Sequence, residues 1–265
     1  MCFNKYTSNS NCNCSSRQIF NAIGVWKDIA AFAHPIRSIH VSDRGHAGVT
    51  HLDCSLINTE ALGYVIPTKT IGRALVDRLN ASTAIELLVP AQAKHIDLSD
   101  NTVIVECDGL EQPKPAALLV LAEGGKSPLT LASGVTKKAK RYEQSALVTT
   151  IQSDWKHDGM AFERFTVDGP IALLPMEESS FALAWTLPTK KAEHYSELVE
   201  VEFLKSLQRH FGYRAGLFKR VTARKVYPLR KSSVSAPSIG RTVLIGNAAH
   251  EVHPVAGQGF NLGLS

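Results

Sequence analysis

The sequence predicts a mixed α/β fold in which segments of α/β type alternate with segments of antiparallel sheet. The stretch AALLVLA, residues 116–122, is continuously apolar, as expected of a strand buried on both faces, and Glu123-Gly124-Gly125 follows it. The central third of the chain is rich in β-forming residues and carries the turn signal Asp168-Gly169. The last segment opens like a strand and then becomes rich in glycine. A two-domain chain that crosses between its domains more than once accounts for this alternation.

The first part of the chain predicts a helix, a hairpin and a strand-helix unit. Residues 1–16 are rich in Asn, Ser and Cys and lack periodicity, which predicts a flexible lead-in. From Arg17 the apolar residues recur at helical spacing until His34-Pro35. The segments IRSIHVSD and AGVTHLD predict the two strands of a hairpin, and YVIPTKTIGRALVDRLN predicts a short strand followed by a helix.

The rest of the chain is predicted mainly as strands. AIELLVP, AKHIDLS and TVIVECDG predict three strands before AALLVLA. The segments SALVTTIQ, MAFERFTVDGPIALLPM and SSFALAWTL predict antiparallel sheet. YSELVEVEFLKSLQRHFG predicts one helix that Gly212 closes, and RVTARKVYPLR and TVLIG predict the last strands.

Composition narrows the class of protein. The chain has 265 residues, a net charge of +5 and 44% hydrophobic residues, enough for a sizeable core. Its basic residues are scattered apart from a run at residues 137–141, which predicts a solvated loop and not a nucleic-acid surface. No apolar run approaches the roughly 20 residues of a membrane span, so no transmembrane segment is predicted. Five cysteines without zinc-like spacing favour free thiols, no metal and a cytoplasmic protein.

The final segment carries a specific motif. LIGNAAHEVHPVAGQGFNLG resembles the second FAD-binding motif of the flavoprotein aromatic hydroxylases, GDxxHxxxPxxGxGxNxGxxD. Asn247 in place of the motif's Asp, together with PVAGQGFNLG, is similar to the ubiquinone-biosynthesis branch of that family. GVWKDIA, IHVSDRGHAG, AFERFTVDGPIALLPM and KVYPLR resemble the same branch in the same order, and AEGGKS stands where the family has ADGxxS.

The resemblance implies an FAD/NAD(P)-binding, Rossmann-like domain interleaved with an antiparallel-sheet substrate domain, as in para-hydroxybenzoate hydroxylase. Residues 17–35, 62–136 and 240–265 are then parts of the FAD-binding domain. Residues 36–61 and 137–239 form the substrate-binding sheet domain. The family's first motif, GxGxxG, occurs nowhere in this chain. The resemblance therefore also implies an incomplete fold, a fragment truncated at both ends.

The implied reaction is a hydroxylation with two cofactors. NAD(P)H reduces FAD, and one atom of O2 is transferred to a polyprenylated phenol in ubiquinone biosynthesis. Two alternatives stay open: a related flavin hydroxylase with another substrate or ring position, and a non-catalytic fragment unable to hold FAD. A quinone-biosynthesis complex and a peripheral position at the inner membrane would both fit the family.

The resemblance also assigns residues to sites. Those implied in FAD binding are Arg73, Glu123, Gly124, Gly246, Asn247, Pro254, Gly257, Gln258, Gly259 and Asn261. The glycines would allow close approach of the cofactor to the backbone, while Arg73 could pair either with a phosphate or in a surface salt bridge. Residues implied in the substrate wall are Phe165, Pro170, Ala172, Leu174 and Pro175, for which ordinary core packing is the alternative. His250 is the one catalytic candidate, and local capping is its alternative role.

Overall fold

The computed structural model describes residues 9–99, 102–124, 129, 134–252 and 258–264. Within these ranges the chain passes repeatedly between small sheets and one large sheet, which confirms the predicted alternation. No helix in the described ranges is long and apolar enough to cross a membrane.

The N-terminal unit is a three-stranded antiparallel sheet with helices packed on it. Its strands are β1 (Asn9–Asn13), β2 (His34–Ile36) and β5 (Gly63–Pro67), in the order β1-β5-β2. Its helices are α1 (Cys14–Ala22), α2 (Trp26–Ile29) and α3 (Thr68–Asn80), with a 3₁₀ turn at Ala30–Phe32. Side chains from all these helices meet β5 in one core that includes Phe20, Ile29, Ile66 and Ile71.

The prediction of a flexible lead-in over residues 1–16 is wrong for residues 9–16. Asn9–Asn13 pairs with β5 along its whole length. The side chain of Asn13 accepts a hydrogen bond from the Ser16 amide at 2.8 Å and so caps α1, which begins at Cys14 and not at Arg17. The predicted long helix is also interrupted at Gly24, whose φ of +76° is left-handed.

The large sheet has nine strands and contains the central third of the chain. They are β3 (Ser38–Asp43), β4 (Val49–Asp53), β10 (Lys137–Ser153), β11 (Met160–Phe165), β12 (Ile171–Pro175), β13 (Ser180–Pro188), β14 (Phe218–Val221), β15 (Lys225–Val234) and β18 (His250–Glu251). The order is β18-β15-β10-β13-β12-β11-β3-β4, with β14 beside β10. The predicted hairpin β3-β4 is confirmed, and β3 pairs with β11 in parallel, unlike the other pairings of the described sheet.

Two helices cover one face of the large sheet. They are α4 (Thr189–Glu197) and α5 (Glu200–Phe211), which pack on a core that includes Trp185, Phe203 and Leu207. The prediction of a single helix is wrong, because Leu198 and Val199 have extended ψ angles of 148° and 155°. Gly212, with φ +84°, ends α5 as predicted.

Two further sheets complete the described fold. β6 (Gln92–Leu98), β7 (Val103–Asp108) and β8 (Lys114–Ala116) form an antiparallel sheet. β16 (Ser238–Ile239) pairs with β17 (Thr242–Leu244), and β17 runs parallel to β9 (Leu119–Leu121). A 3₁₀ turn at Gly246–Ala248 and the helix α6 (Gln258–Leu264) follow.

Three predictions in this part of the chain are wrong. AIELLVP forms no strand. AALLVLA is not buried on both faces, because β9 covers three residues only and Leu118 and Val120 are 54% and 48% exposed. The basic run at residues 137–141 is the first part of β10, paired with β15 from Lys137 to Arg141, and not a loop.

Candidate functional site

Two parallel strands present predicted cofactor residues at the same edge of a sheet. Leu121 of β9 lies beside Leu244 of β17, and the Ile245 amide donates to the Leu121 carbonyl at 3.0 Å. Glu123-Gly124 follows β9, and Gly246-Asn247 follows β17. In open α/β sheets, ligands bind outside the carboxyl ends of parallel strands. The structure therefore brings these four residues to the edge where such a ligand would lie.

The backbone at Gly246 has free space beside it. Gly246 has φ +56°, and a Cβ built there would meet no atom of the described residues within 4 Å. Gly124, with φ +87°, is also left-handed. A left-handed glycine next to unfilled space is what a ligand in close contact with the backbone requires. The residues at this edge therefore fit an elongated cofactor, and the half-buried Asn247 lies directly beside the opening.

Helix α6 passes close to this edge and is hydrogen-bonded to the N-terminal unit. A Cβ on Gly263 would lie 3.9 Å from the Cα of Gly246. The buried Asn261 accepts hydrogen bonds through Oδ1 from the Ser16 hydroxyl at 2.8 Å and the Asn13 amide at 3.0 Å. Sequence reasoning assigned Asn261 to the cofactor and missed this structural use of its side-chain oxygen.

The other residues implied in FAD binding lie on α6, on α3 or outside the described residues. A Cβ on Gly259, in α6, would contact the Val252 side chain at 3.6 Å, and α6 begins at Gln258. Pro254 and Gly257 lie outside the described residues. Arg73 is on α3 with its side chain 88% exposed, and its Nε is 3.8 Å from an Asp77 carboxylate oxygen. The salt-bridge alternative is thus present in the structure, and the phosphate role stays a prediction.

The second part of the site is the face of the large sheet opposite α4 and α5, which we call the open face. Along β12 and β13, residues on the helix-covered face are buried, while the residues that alternate with them are half-buried apart from the buried Thr186. The half-buried residues on the open face are small or apolar: Ala172, Leu174, Ala182 and Ala184. An apolar, incompletely covered sheet face suits an apolar ligand.

The predicted substrate residues divide between the two faces. Strand alternation places Phe165, Ala172 and Leu174 on the open face. Pro170 precedes β12, and its carbonyl accepts a hydrogen bond from the Thr186 amide at 2.9 Å. Pro175 is buried opposite Phe181 and shares the helix-covered face with Leu173, so the structure does not place it with the other residues. The prediction missed this because it treated the hairpin as one wall without separating odd from even positions.

Glu163 is a candidate site residue that sequence reasoning missed. It lies on β11 between Val41 of β3 and Ala172 of β12 and points to the open face, as Ala161 and Phe165 do. Burial raises the pKa of its carboxyl to about 7. The available signal was the strand pattern AFERF, in which a glutamate alternates with Ala161 and Phe165 on one face.

His250 lies at the other end of the large sheet. It pairs with Ser233 in the short edge strand β18, next to Glu251, whose carboxylate is 2.6 Å from Arg230 Nε. Four strands lie between β18 and β11 in the sheet order. His250 is therefore separated from Glu163 by roughly 24 Å at about 4.8 Å per strand. The structure does not bring this catalytic candidate to the middle of the open face.

The fold and site define a class of protein: an α/β unit with an open, glycine-lined cofactor edge, joined to an antiparallel sheet that offers a second ligand surface. The FAD binding domain family matches residues 9–265, and the chain belongs to that family. The cofactor of the family is FAD.

Individual relatives place the chain within this family. It is 32% identical over 253 residues to ubiquinone hydroxylase UbiL of Rhodospirillum rubrum, covering 94% of this chain and 57% of the relative. It is 27% identical over 250 residues to 3-demethoxyubiquinol 3-hydroxylase of Escherichia coli, covering 94% and 63%. The chain thus spans less than two thirds of the length of these relatives. The crystal structure of Pseudomonas aeruginosa PqsL in complex with 2-aminobenzoylacetate has the same fold, with TM-score 0.80, 16% identity and coverage of 98% and 73%.

Proposed function

We propose that this protein is an FAD-dependent monooxygenase that hydroxylates a polyprenylated phenol in ubiquinone biosynthesis, with NAD(P)H and O2 as co-substrates. The observation that carries the proposal is the open backbone at Gly246, which the chain connects through a single 3₁₀ turn to β18 of the large sheet. A cofactor at Gly246 would lie beside the sheet whose open face is apolar. The names of the relatives supply the reaction class.

The site residues have complementary roles in this proposal. Gly246, Asn247, Glu123 and Gly124 would hold FAD at the carboxyl edge of β9 and β17, where backbone groups are accessible. When bound, FAD supplies the redox and oxygen-transfer chemistry. The further residues that we assign to this cofactor by resemblance are Arg73, Pro254, Gly257, Gln258, Gly259 and Asn261.

The open face would bind the phenol and part of its polyprenyl tail. Phe165, Ala172 and Leu174 present apolar surface, and the small side chains leave room for a flat ring. Burial of the tail excludes water from the ring and orients it.

We infer in addition that the protein acts at a membrane surface, because a polyprenylated substrate dissolves in lipid. Leu56 and Ile57 are 73% and 61% exposed in the 3₁₀ turn Cys54–Ile57 and supply apolar side chains suited to such contact. Co-sedimentation with vesicles made from an inner-membrane lipid extract tests this, with the double variant Leu56→Ser, Ile57→Ser expected to sediment less. Equal sedimentation of both proteins would remove the inference.

The proposed reaction is tested with the FAD-loaded chain, NADH or NADPH, ¹⁸O2 and a short-chain prenylphenol. We expect nicotinamide oxidation to depend on the phenol, and mass spectrometry to find one ¹⁸O atom in the product. Binding of FAD without ¹⁸O incorporation would reject the monooxygenase proposal and leave the family assignment intact. Incorporation into simple phenols but not prenylphenols would favour a related aromatic hydroxylase with another substrate.

A further inference from the structure

Glu163 is the one carboxylate in a transverse row of apolar side chains on the open face. The row follows the pairing register from strand to strand: Val41, Glu163, Ala172, Ala184 and Val148. Each neighbour in this row is aliphatic, and two of them are alanines. The side chains that flank Glu163 in this row, Val41 and Ala172, are both aliphatic and offer no hydrogen bond to its carboxyl group.

The surroundings of this carboxyl are apolar along the strand as well. Ala161, two residues earlier on the same face, packs in a cluster with Ile36 and Val65 of the N-terminal unit. Phe165, two residues later, is 44% exposed. The open face is therefore covered by the N-terminal unit on the Ala161 side of Glu163 and is accessible on the Phe165 side.

Among the residues that the structure describes, no charged group pairs with the Glu163 carboxylate. Within the described ranges, no hydrogen bond or ion pair to its carboxylate is found, and burial is the one cause of its raised pKa. Asp43 of β3, on the same face two residues beyond Val41, lies 2.8 Å from His46 Nδ1. The next residue of the row is Lys225 of β15, which pairs with Val148. This cation is far from Glu163, because the strands β12, β13 and β10 lie between them.

Arg164, the next residue, provides an internal comparison. On the opposite face its guanidinium donates to the His210 carbonyl at 3.2 Å and to the Ser42 hydroxyl at 3.2 Å. The fold thus supplies partners for one buried charge of this strand and none for the other. A half-buried carboxylate without a partner costs stability, which a ligand carrying a hydrogen-bond donor would recover.

We propose that Glu163 is a catalytic residue that binds the phenolic hydroxyl of the substrate and accepts its proton. The inference rests on the proposed function and names the polar contact within an otherwise apolar substrate surface. The ionised carboxylate accepts a hydrogen bond from the phenol. As the ring is oxidised, the phenol O–H bond breaks and a carboxyl O–H bond forms. The electron pair stays on the phenol oxygen and enriches the ring, and the proton passes to water after product leaves.

The pKa of the Glu163 carboxyl suits a general base. A general base works best when its pKa lies near the operating pH, and the Glu163 pKa is about 7. Asp154, whose pKa is lowered by hydrogen bonds from the Leu217 amide and Lys219, is by contrast a weaker base.

The contact is tested without turnover by using 4-nitrophenol, whose ionised form absorbs visible light. Difference spectra of the FAD-loaded protein give the apparent pKa of the bound nitrophenol. In the wild type, ionised Glu163 opposes a second negative charge beside it, so this pKa should be at least about one unit higher than in Glu163→Gln. Glu163→Asp keeps a carboxyl and should retain part of the shift. Glu106→Gln, an exposed strand glutamate on β7, is the control and should match the wild type.

The outcomes separate this inference from the proposed function. Equal nitrophenol pKa values in the wild type and Glu163→Gln, or no saturable binding to the wild type, would overturn the role of Glu163 whether or not the protein hydroxylates phenols. If ¹⁸O transfer is observed, kcat/KM should rise with pH through about 7 in the wild type and Glu106→Gln. This rise should be absent in Glu163→Gln, with a loss of at least about 100-fold at pH 8.

Discussion

The side-chain oxygen of Asn261 accepts hydrogen bonds from both the hydroxyl of Ser16 and the backbone amide of Asn13. One buried acceptor thus joins the last helix of the described chain to the cap of the first. Because α6 also passes beside Gly246, this contact fixes the position of the N-terminal unit relative to the cofactor edge.

Replacing Asn261 with alanine should lower the free energy of unfolding by about 2–3 kcal/mol, because two donors that now share one acceptor would lose it in a buried position. Urea denaturation measures the loss. The exposed Asn80 at the end of α3 is the control, and Asn80→Ala should change stability by less than about 0.5 kcal/mol. Similar values for the two variants would show that the Asn261 contact contributes little.

Matched glycines test the cofactor edge. Gly246 and Gly240 have φ angles of +56° and +53°, and a Cβ on either would meet no atom within 4 Å. Alanine at each position therefore carries the same left-handed strain, about 1–2 kcal/mol. Gly246→Ala should in addition weaken FAD binding tenfold or more, because its methyl group enters the space assigned to the cofactor, while Gly240→Ala should not.

Titration of FAD into the apoproteins, followed by flavin fluorescence, gives the two affinities. Unfolding curves without FAD check that the strain is equal. If both variants bind FAD as the wild type does, the cofactor does not contact the backbone at Gly246.

How much of the fold the sequence predicts depends on how far apart along the chain the interacting residues lie. The strands β11 to β13 and the later part of β10 were predictable because alternating residues and the Asp168-Gly169 turn are local signals. The parallel pairing of β11 with β3 was not, because it joins distant segments and no local pattern encodes a partner strand. This pairing places Val41 of β3 on one side of Glu163, so the apolar environment of the carboxyl could not be predicted before the register was known.

A similar limit applies to the N-terminus. Asparagine and serine near the start of the chain suggested flexibility, but the same residue types are preferred at helix N-caps. Asn13 acts as such a cap, and its strand is ordered by pairing with β5, a segment some fifty residues further along the chain that no local signal identifies as a partner. The residues Gly246 and Asn247 were assigned from their resemblance to a family motif, whereas the free space beside Gly246 required the structure.

Gly169 is predicted to be irreplaceable in the β11-β12 turn. Its φ is +139°, and a Cβ would lie 2.6 Å from the Thr186 carbonyl oxygen, which is backbone and cannot move aside. Gly169→Ala should therefore destabilise the protein by about 3 kcal/mol through strain and overlap. Gly48, where a Cβ would meet nothing within 4 Å, is the control. Thermal unfolding of both variants provides the comparison, and a loss for Gly169→Ala no larger than for Gly48→Ala would contradict the turn geometry.

The raised pKa of Glu163 predicts a pH-dependent stability that is independent of any ligand. The carboxyl titrates near 4.5 when unfolded and at about 7 when folded, so between these values the folded state binds more protons than the unfolded state. Stability from this group is therefore fully present below about pH 4.5 and is lost as the pH rises through about 7. Glu163→Gln removes the titration, so its free energy of unfolding relative to the wild type should increase by about 2 kcal/mol between pH 5 and pH 8.

Urea unfolding at both pH values, with Glu106→Gln as the exposed control, measures the difference. A Glu163→Gln effect that is the same at both pH values would mean that the carboxyl ionises normally in the folded protein.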